Sequence, residues 1–123
     1  GNERLGNRGA VAVSEWLTSG KPTVQVLDIG RCCVREAGAV ALGAMLGGNA
    51  SLVELRAGWN ALGEGRGAQR IAEGLCTNIA LTRLDLCRAG LHDAGCAALL
   101  DAVAAHAGEL TELDLSSNSA GAL

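Results

Sequence analysis

Apolar residues return along this chain at two nested spacings. The short spacing is an alternation: Leu84 and Leu86 are apolar, Arg83 and Asp85 between and before them are charged. That period of two predicts a strand with one buried face. The segment Leu81-Thr-Arg-Leu84-Asp-Leu86-Cys-Arg-Ala-Gly-Leu91 then recurs with substitutions. It reads as Val24-Gln-Val-Leu27-Asp-Ile29-Gly-Arg-Cys-Cys-Val34 and as Leu52-Val-Glu-Leu55-Arg-Ala57-Gly-Trp-Asn-Ala-Leu62, and a fourth copy opens Leu110-Thr-Glu-Leu113-Asp-Leu115-Ser-Ser-Asn118. The copies start at 24, 52, 81 and 110, a period of 28, 29 and 29 residues. After each copy comes a second pattern with apolar residues four apart: Gly9/Val13/Leu17, Gly38/Leu42/Leu46, Gly67/Ile71/Leu75 and Gly95/Leu99/Val103. Residues four apart share a helix face. The spacing predicts helices over 8–19, 36–47, 65–76 and 93–106, and strands over 25–29, 53–57, 82–86 and 111–115. The glycine opening each helix pattern is expected to let the helix approach the strand behind it. Pro22, after Gly20, is read as the stop of the first helix.

The strand copies match L-x-x-L-x-L-x-x-N/C-x-L, and so the chain resembles the leucine-rich repeats. The long period and the Gly-Ala helix resemble the ribonuclease-inhibitor-like subclass. That subclass includes ribonuclease inhibitor, Ran GTPase-activating protein, the sensor arrays of NOD-like receptors, tropomodulin, and ciliary and cytoskeletal scaffolds. The resemblance spans nearly the whole chain. It implies an α/β fold: a right-handed, horseshoe-arced solenoid with a parallel β-sheet on the concave face and α-helices on the convex face. Residues 1–123 are expected to form one array, divided as 1–23 (partial), 24–51, 52–80, 81–109 and 110–123 (truncated), and to belong to a longer solenoid. The ladder position of the repeat holds Asn60 and Asn118 but Cys32 and Ala89 in the other two copies, and Ala57 replaces an inward Leu or Ile. At Cys32 a weak thiol donor remains; at Ala89 a backbone or water contact has to substitute.

Composition narrows the function more than it names it. The chain is 49 % hydrophobic yet holds only two aromatic residues, Trp16 and Trp59, so aliphatic side chains and 18 glycines must fill the core. The net charge of −3 argues against a nucleic-acid backbone as partner. No apolar run reaches the length of a membrane span, and no signal peptide is evident. The five cysteines (32, 33, 76, 87 and 96) are odd in number and follow the repeat, which favours free thiols and a reducing compartment. Cys96 takes an alanine slot and is expected to be buried; Cys32 and Cys33 sit by a tight turn. Asn49-Ala50-Ser51 is a formal glycosylation sequon, read as unused given those thiols.

Candidate chemistry is sparse. Cys87, His92 and Cys96 fit no standard zinc spacing, and no nucleophile–base pair stands apart from the repeat grid. Gly63-Glu-Gly-Arg66 lacks the lysine of a phosphate loop. No metal, cofactor or small-molecule substrate is expected, and the chain is read as a non-enzyme. What remains is surface. Position 3 of the strands reads Val26, Glu54, Arg83, Glu112; position 5 reads Asp28, Arg56, Asp85, Asp114. Unlike charges fall side by side at most steps, with excess acid at Asp85, Glu112 and Asp114. Such columns serve either as a self-neutralised solvated face or as a polar recognition face. Position 8, at the mouth of the concave surface, reads Arg31, Trp59, Arg88, Ser117. A tryptophan between two arginines fits an interface anchor as well as a local cation–π stack. Trp16 is read as a boundary residue in the slot of Met45, Gly74 and Ala102.

The expected function is a non-catalytic protein–protein interaction module, structural or scaffolding, in an intracellular assembly such as a cilium or the cytoskeleton. The candidate protein-binding residues are Trp59, Arg31, Arg88, Arg56, Asp85, Glu112 and Asp114. Partners are expected to be proteins that dock on the concave face or its rim, without nucleic acid or membrane. The alternative is a regulatory array of a NOD-like receptor or of a GTPase activator.

Overall fold

The computed structural model describes residues 6–19, 23–106, 108 and 110–118. Pro22 and both ends of the expected array lie outside the described residues. Helices and strands alternate: α1 (Gly6–Thr18), β1 (Val26–Asp28), α2 (Glu36–Gly48), β2 (Glu54–Arg56), α3 (Gly67–Thr77), β3 (Arg83–Asp85), α4 (His92–Ala105) and β4 (Glu112–Asp114). The strands form one sheet in the order β1-β2-β3-β4, and every neighbouring pair is parallel. Each return to a parallel neighbour needs a crossover, and each crossover carries a helix.

The ladder is shorter than the alternation predicts, three residues per strand, but its bonding runs on past the ends. Val53 N–H donates to Gln25 C=O and Ile29 N–H to Arg56 C=O, each at 2.8 Å. Helix α3 starts two residues later than expected. The inserted Gly63–Arg66 segment turns there, with Gly65 at φ +55° and Gly67 N–H bonded to Glu64 C=O.

The register stacks like on like: Leu27, Leu55, Leu84 and Leu113 form one row across the sheet. Leu55, Leu84, Ile29 and Leu86 are buried against Leu42, Leu46, Ile71, Leu75 and Leu99. Leu27, Leu113, Leu115 and Val103, toward the two ends, are only partly buried. A core built this way is a line, each repeat closing on its neighbours.

Close approach is needed between helices, not between helix and strand. A Cβ on Gly38 would meet Ala10 Cβ at 3.1 Å, and one on Gly95 would meet Ala68 Cβ at 3.1 Å. The first-turn glycine thus packs on the alanine one helix back and on the loop entering its own helix, and the expectation of a strand contact is corrected. Farther along, a Cβ on Gly74 would run into the Gly43 carbonyl, so α2 and α3 touch backbone to backbone. This pairing also explains Cys96. Its counterparts Ala10, Ala39 and Ala68 are buried by the next helix, but no described helix follows α4, and Cys96 is only partly covered. Cys32, by contrast, is 3 % exposed. All five cysteines are free thiols.

Two asparagine ladders bind the repeats. Asn60 donates to Ile29 C=O and accepts from Cys32 and Val34 N–H; Asn118 does the same with Leu86, Ala89 and Leu91. Where the ladder residue is not asparagine, its carbonyl takes over. Gly6 N–H donates to Cys32 C=O at 2.7 Å and Leu62 N–H to Ala89 C=O at 2.8 Å. Cys32 Sγ also donates to Gly30 C=O. The second ladder lies at the helix ends, where Asn49 and Asn78 are buried caps. Asn49 Nδ2 donates to Leu17 C=O and Asn78 Nδ2 to Leu46 C=O. The sequon nitrogen is therefore engaged inside the fold.

Candidate protein-interaction face

Strand alternation leaves one face of the sheet without helices, and positions 3 and 5 project from it. The register puts Glu54 beside Arg83 and Arg83 beside Glu112, with Asp28, Arg56, Asp85 and Asp114 in the adjoining row. The unlike neighbours pair: Arg83 reaches Glu54 at 3.6 Å and Glu112 at 3.4 Å, and Arg56 is hydrogen-bonded to Glu54. Glu54, receiving both arginines, strengthens the positive form of Arg56 and raises its pKa. Arg56 is thus committed within the face. Asp85 and Asp114 are the one like-charged pair facing each other across neighbouring strands in these rows.

The aspartates of position 5 have a second task. Asp28 Oδ1 accepts from Gly30 N–H, Asp85 Oδ1 from Cys87 N–H and Asp114 Oδ1 from Ser116 N–H, each at 2.9 Å. These are Asx turns, which close the loop leaving the strand. Asp114 also accepts from the Ser116 hydroxyl at 2.6 Å. The hydroxyl and then the backbone bond favour its charged form and hold its pKa below the usual carboxylate value.

Three residues further on, all four loops enter the left-handed region: Arg31 at φ +56°, Trp59 at +57°, Arg88 at +52° and Ser117 at +60°. This turn lifts the side chains to the rim. The Arg31 guanidinium carbon lies 4.0 Å from the centre of the Trp59 ring, and that of Arg88 lies 4.6 Å from it. The indole is 45 % exposed even so. A cleft beside it is lined by Leu27, Asp28, Arg31, Arg56, Trp59 and Asp85.

A family model described as Leucine Rich repeat matches residues 20–43, the first strand and the first half of α2. A solved structure of leiomodin-1 actin-binding site 2 superposes with a TM-score of 0.77 at 22 % identity, over 94 % of this chain. The fold is that of a leucine-rich-repeat protein. The array spans 66 % of the leiomodin-1 chain, and at that identity the likeness speaks for the fold alone. No curated protein matches the array by sequence.

Of the seven candidate residues, Arg31, Trp59 and Arg88 come together in one stack. Asp85, Glu112 and Asp114 gather at the β3–β4 end of the open face, and Arg56 lies between the two groups, bonded to Glu54. Apolar side chains are also exposed on the helical side of the array. Val40 and Leu100 are exposed there, as is Ile79 in the loop after α3. Trp16 is 56 % exposed on α1, whereas Met45, Gly74 and Ala102 in the same slot are buried. Its slot faces the preceding helix in the later repeats, and no described helix precedes α1. His92 opens α4 at φ +60°, and His106 caps its end. Among the described residues no group of three His, Cys, Asp or Glu side chains could hold a metal ion, and no helix is long and apolar enough to cross a membrane.

Proposed function

We propose that the array is a non-catalytic protein-interaction module that docks its partner on the open sheet face and its rim. The observation that carries this is the Arg31–Trp59–Arg88 stack: a large indole left 45 % exposed and in contact with two cations. Tryptophan and arginine are the residue types most enriched at interface hot spots, and a pre-ordered anchor loses little entropy on binding. The acidic end at Asp85, Glu112 and Asp114 supplies register and charge selectivity. We assign the module a scaffolding role in an intracellular, reducing compartment, with the cytoskeleton first. The leiomodin-1 structure is that of an actin-binding site, which makes actin the first partner to test.

The test is actin co-sedimentation of the wild type and Trp59→Ala, followed by capture of partners from a lysate and an affinity for each. The variant is expected to weaken binding by more than about 2 kcal/mol while the melting curve holds, since the ring lies outside the buried positions. Unchanged affinity with lowered stability would make Trp59 a loop-packing residue and remove the rim as a docking surface. Loss of actin binding from the wild type would redirect the partner but not the surface.

A further inference from the structure

The rim and the sheet face below it carry opposite charge, and the geometry points to the kind of partner they fit: a mixed-charge protein segment whose carboxylates seat on Arg31 and Arg88 and whose following basic side chain seats on Asp85, Glu112 and Asp114. The inference rests on the docking surface proposed above and adds the chemistry of its occupant.

The two rim arginines differ from most others in the array. Arg35 is paired with Glu64, Arg56 with Glu54, Arg70 with Glu73, and Arg83 with Glu54 and Glu112. Arg31 and Arg88 have no ion pair among the described residues; each instead lies against the Trp59 ring. Stacking occupies the flat face of a guanidinium and leaves its N–H edges free, and those edges match a carboxylate two bonds at a time. The indole also fixes the spacing. Arg31 and Arg88 sit in the repeats either side of Trp59, and with their guanidinium carbons 4.0 and 4.6 Å from one ring centre the two are at most 8.6 Å apart. Alternate residues of an extended segment point the same way about 6.6 Å apart, and the reach of two glutamates covers the difference.

Charge below the rim decides between a protein segment and a polyanion. Asp28, Asp85 and Asp114 stand just before the rim loops, and each shares one oxygen with its turn. A nucleic-acid strand carries one phosphate charge per roughly 3.4 Å, so a bound strand would lay phosphates across these carboxylates. A short segment can place its acid at the rim and its base beyond it. The base has a ready seat, because Asp85 and Asp114 face each other across neighbouring strands with no described cation paired to either.

The experiment uses the whole chain with Trp16→Phe, which leaves Trp59 as the only indole. Three probes are titrated against its fluorescence: a Glu-Glu-Glu-Gly-Gly-Lys-Lys-Lys peptide, its all-Gln counterpart, and a single-stranded oligouridylate. The mixed peptide is expected to give a saturable change in emission that the Gln peptide does not. Arg31→Gln with Arg88→Gln should weaken it by roughly tenfold or more, each neutralised site losing a charge-assisted bidentate pair. Asp85→Asn with Asp114→Asn should weaken it by a smaller factor, and Arg70→Gln on the helical side should leave it unchanged. No saturable response, equal binding by the double Arg variant, or tighter binding of the oligouridylate would overturn the inference. Circular dichroism of each variant separates lost binding from lost fold. If the peptide fails while Trp59→Ala still lowers affinity for a captured partner, the docking surface stands and only the charge assignment falls.

Discussion

Asn60→Ala should break the array at one joint. The amide makes five hydrogen bonds: donations to the carbonyls of Ile29, Ala57 and Gly58, and acceptance from the N–H groups of Cys32 and Val34. Those to Ala57 and Gly58 lie within its own turn, where both residues are buried, and Gly58 C=O keeps a second donor in the Arg31 N–H at 3.1 Å. The three to Ile29, Cys32 and Val34 cross to the preceding repeat. Cys32, Val34 and Ile29 are at most 3 % exposed, so their backbone groups have no water to turn to. A typical buried hydrogen bond contributes about 1 kcal/mol net, and an orphaned partner costs about 1–3 kcal/mol. Three such losses give roughly 3–5 kcal/mol, set against a total stability of about 5–15 kcal/mol for a domain. Because contacts in a stack are nearest-neighbour, the loss should appear at the β1–β2 joint first. Urea unfolding gives the total, and hydrogen exchange gives the place: the Cys32 and Val34 amides should lose protection while those of Leu84 and Leu86 keep theirs. A loss below about 1 kcal/mol, or even exchange across all repeats, would refute the reasoning.

Gly74→Ala should destabilise by about 1–3 kcal/mol in thermal melts, because the new methyl meets the Gly43 carbonyl and α2 and α3 must separate. Iodoacetamide followed by mass mapping should label exposed Cys33 well before Cys96, whose thiol is pushed up first by burial and then by the Asp93 charge. Asp114 should titrate below its ordinary value in carboxyl NMR, and Ser116→Ala should return it toward that value. The sign follows: with the folded pKa depressed, its contribution to stability is present above the unfolded pKa and is lost as pH falls through the folded one. The slope of stability against pH in acid should therefore shrink in Ser116→Ala.

The repeat grid was legible because periodicity reports on burial, and burial alone dictates Leu55, Leu84, Leu42 or Ile71. Pairing logic was less legible. Asn49 and Asn78 stand 29 positions apart, each three residues before a buried leucine, Leu52 and Leu81. That shared phase marks a second ladder, yet Asn49 also completes a sequon, and a local motif obscured the long-range one. The position-5 aspartates read as face charges because an Asx turn depends on where the N–H two residues later points, which side-chain identity does not fix. The helix glycines are ambiguous for a similar reason: a missing Cβ says that something comes close, not whether it is a strand or the neighbouring helix. At the rim the sequence placed Arg31, Trp59 and Arg88 in one column, and the stack follows from strand spacing alone.

The strained rim bears on how far function can be read from backbone. A non-glycine residue in the left-handed region costs about 1–2 kcal/mol, and such strain often marks a site. Here it marks the architecture, since Arg31, Trp59, Arg88 and Ser117 all adopt it at the same repeat position. The loop must reverse there to bring the ladder residue, one position later, inward beneath it: Cys32, Asn60, Ala89 and Asn118. Asn60 and Asn118 recover the strain through cross-repeat hydrogen bonds, and Cys32 and Ala89 through their carbonyls. Backbone strain therefore carries no information about which repeat binds. The side chains do. Glycine would relieve the strain at every one of these positions, and arginine twice and tryptophan once occupy them instead. What those three residues gain over glycine is the cation–π stack, and an exposed stack of this kind contributes only about 0.5–1 kcal/mol per pair. That gain adds to the cross-repeat hydrogen bonds of Cys32, Asn60 and Ala89, one position later, which already offset the strain at Arg31, Trp59 and Arg88.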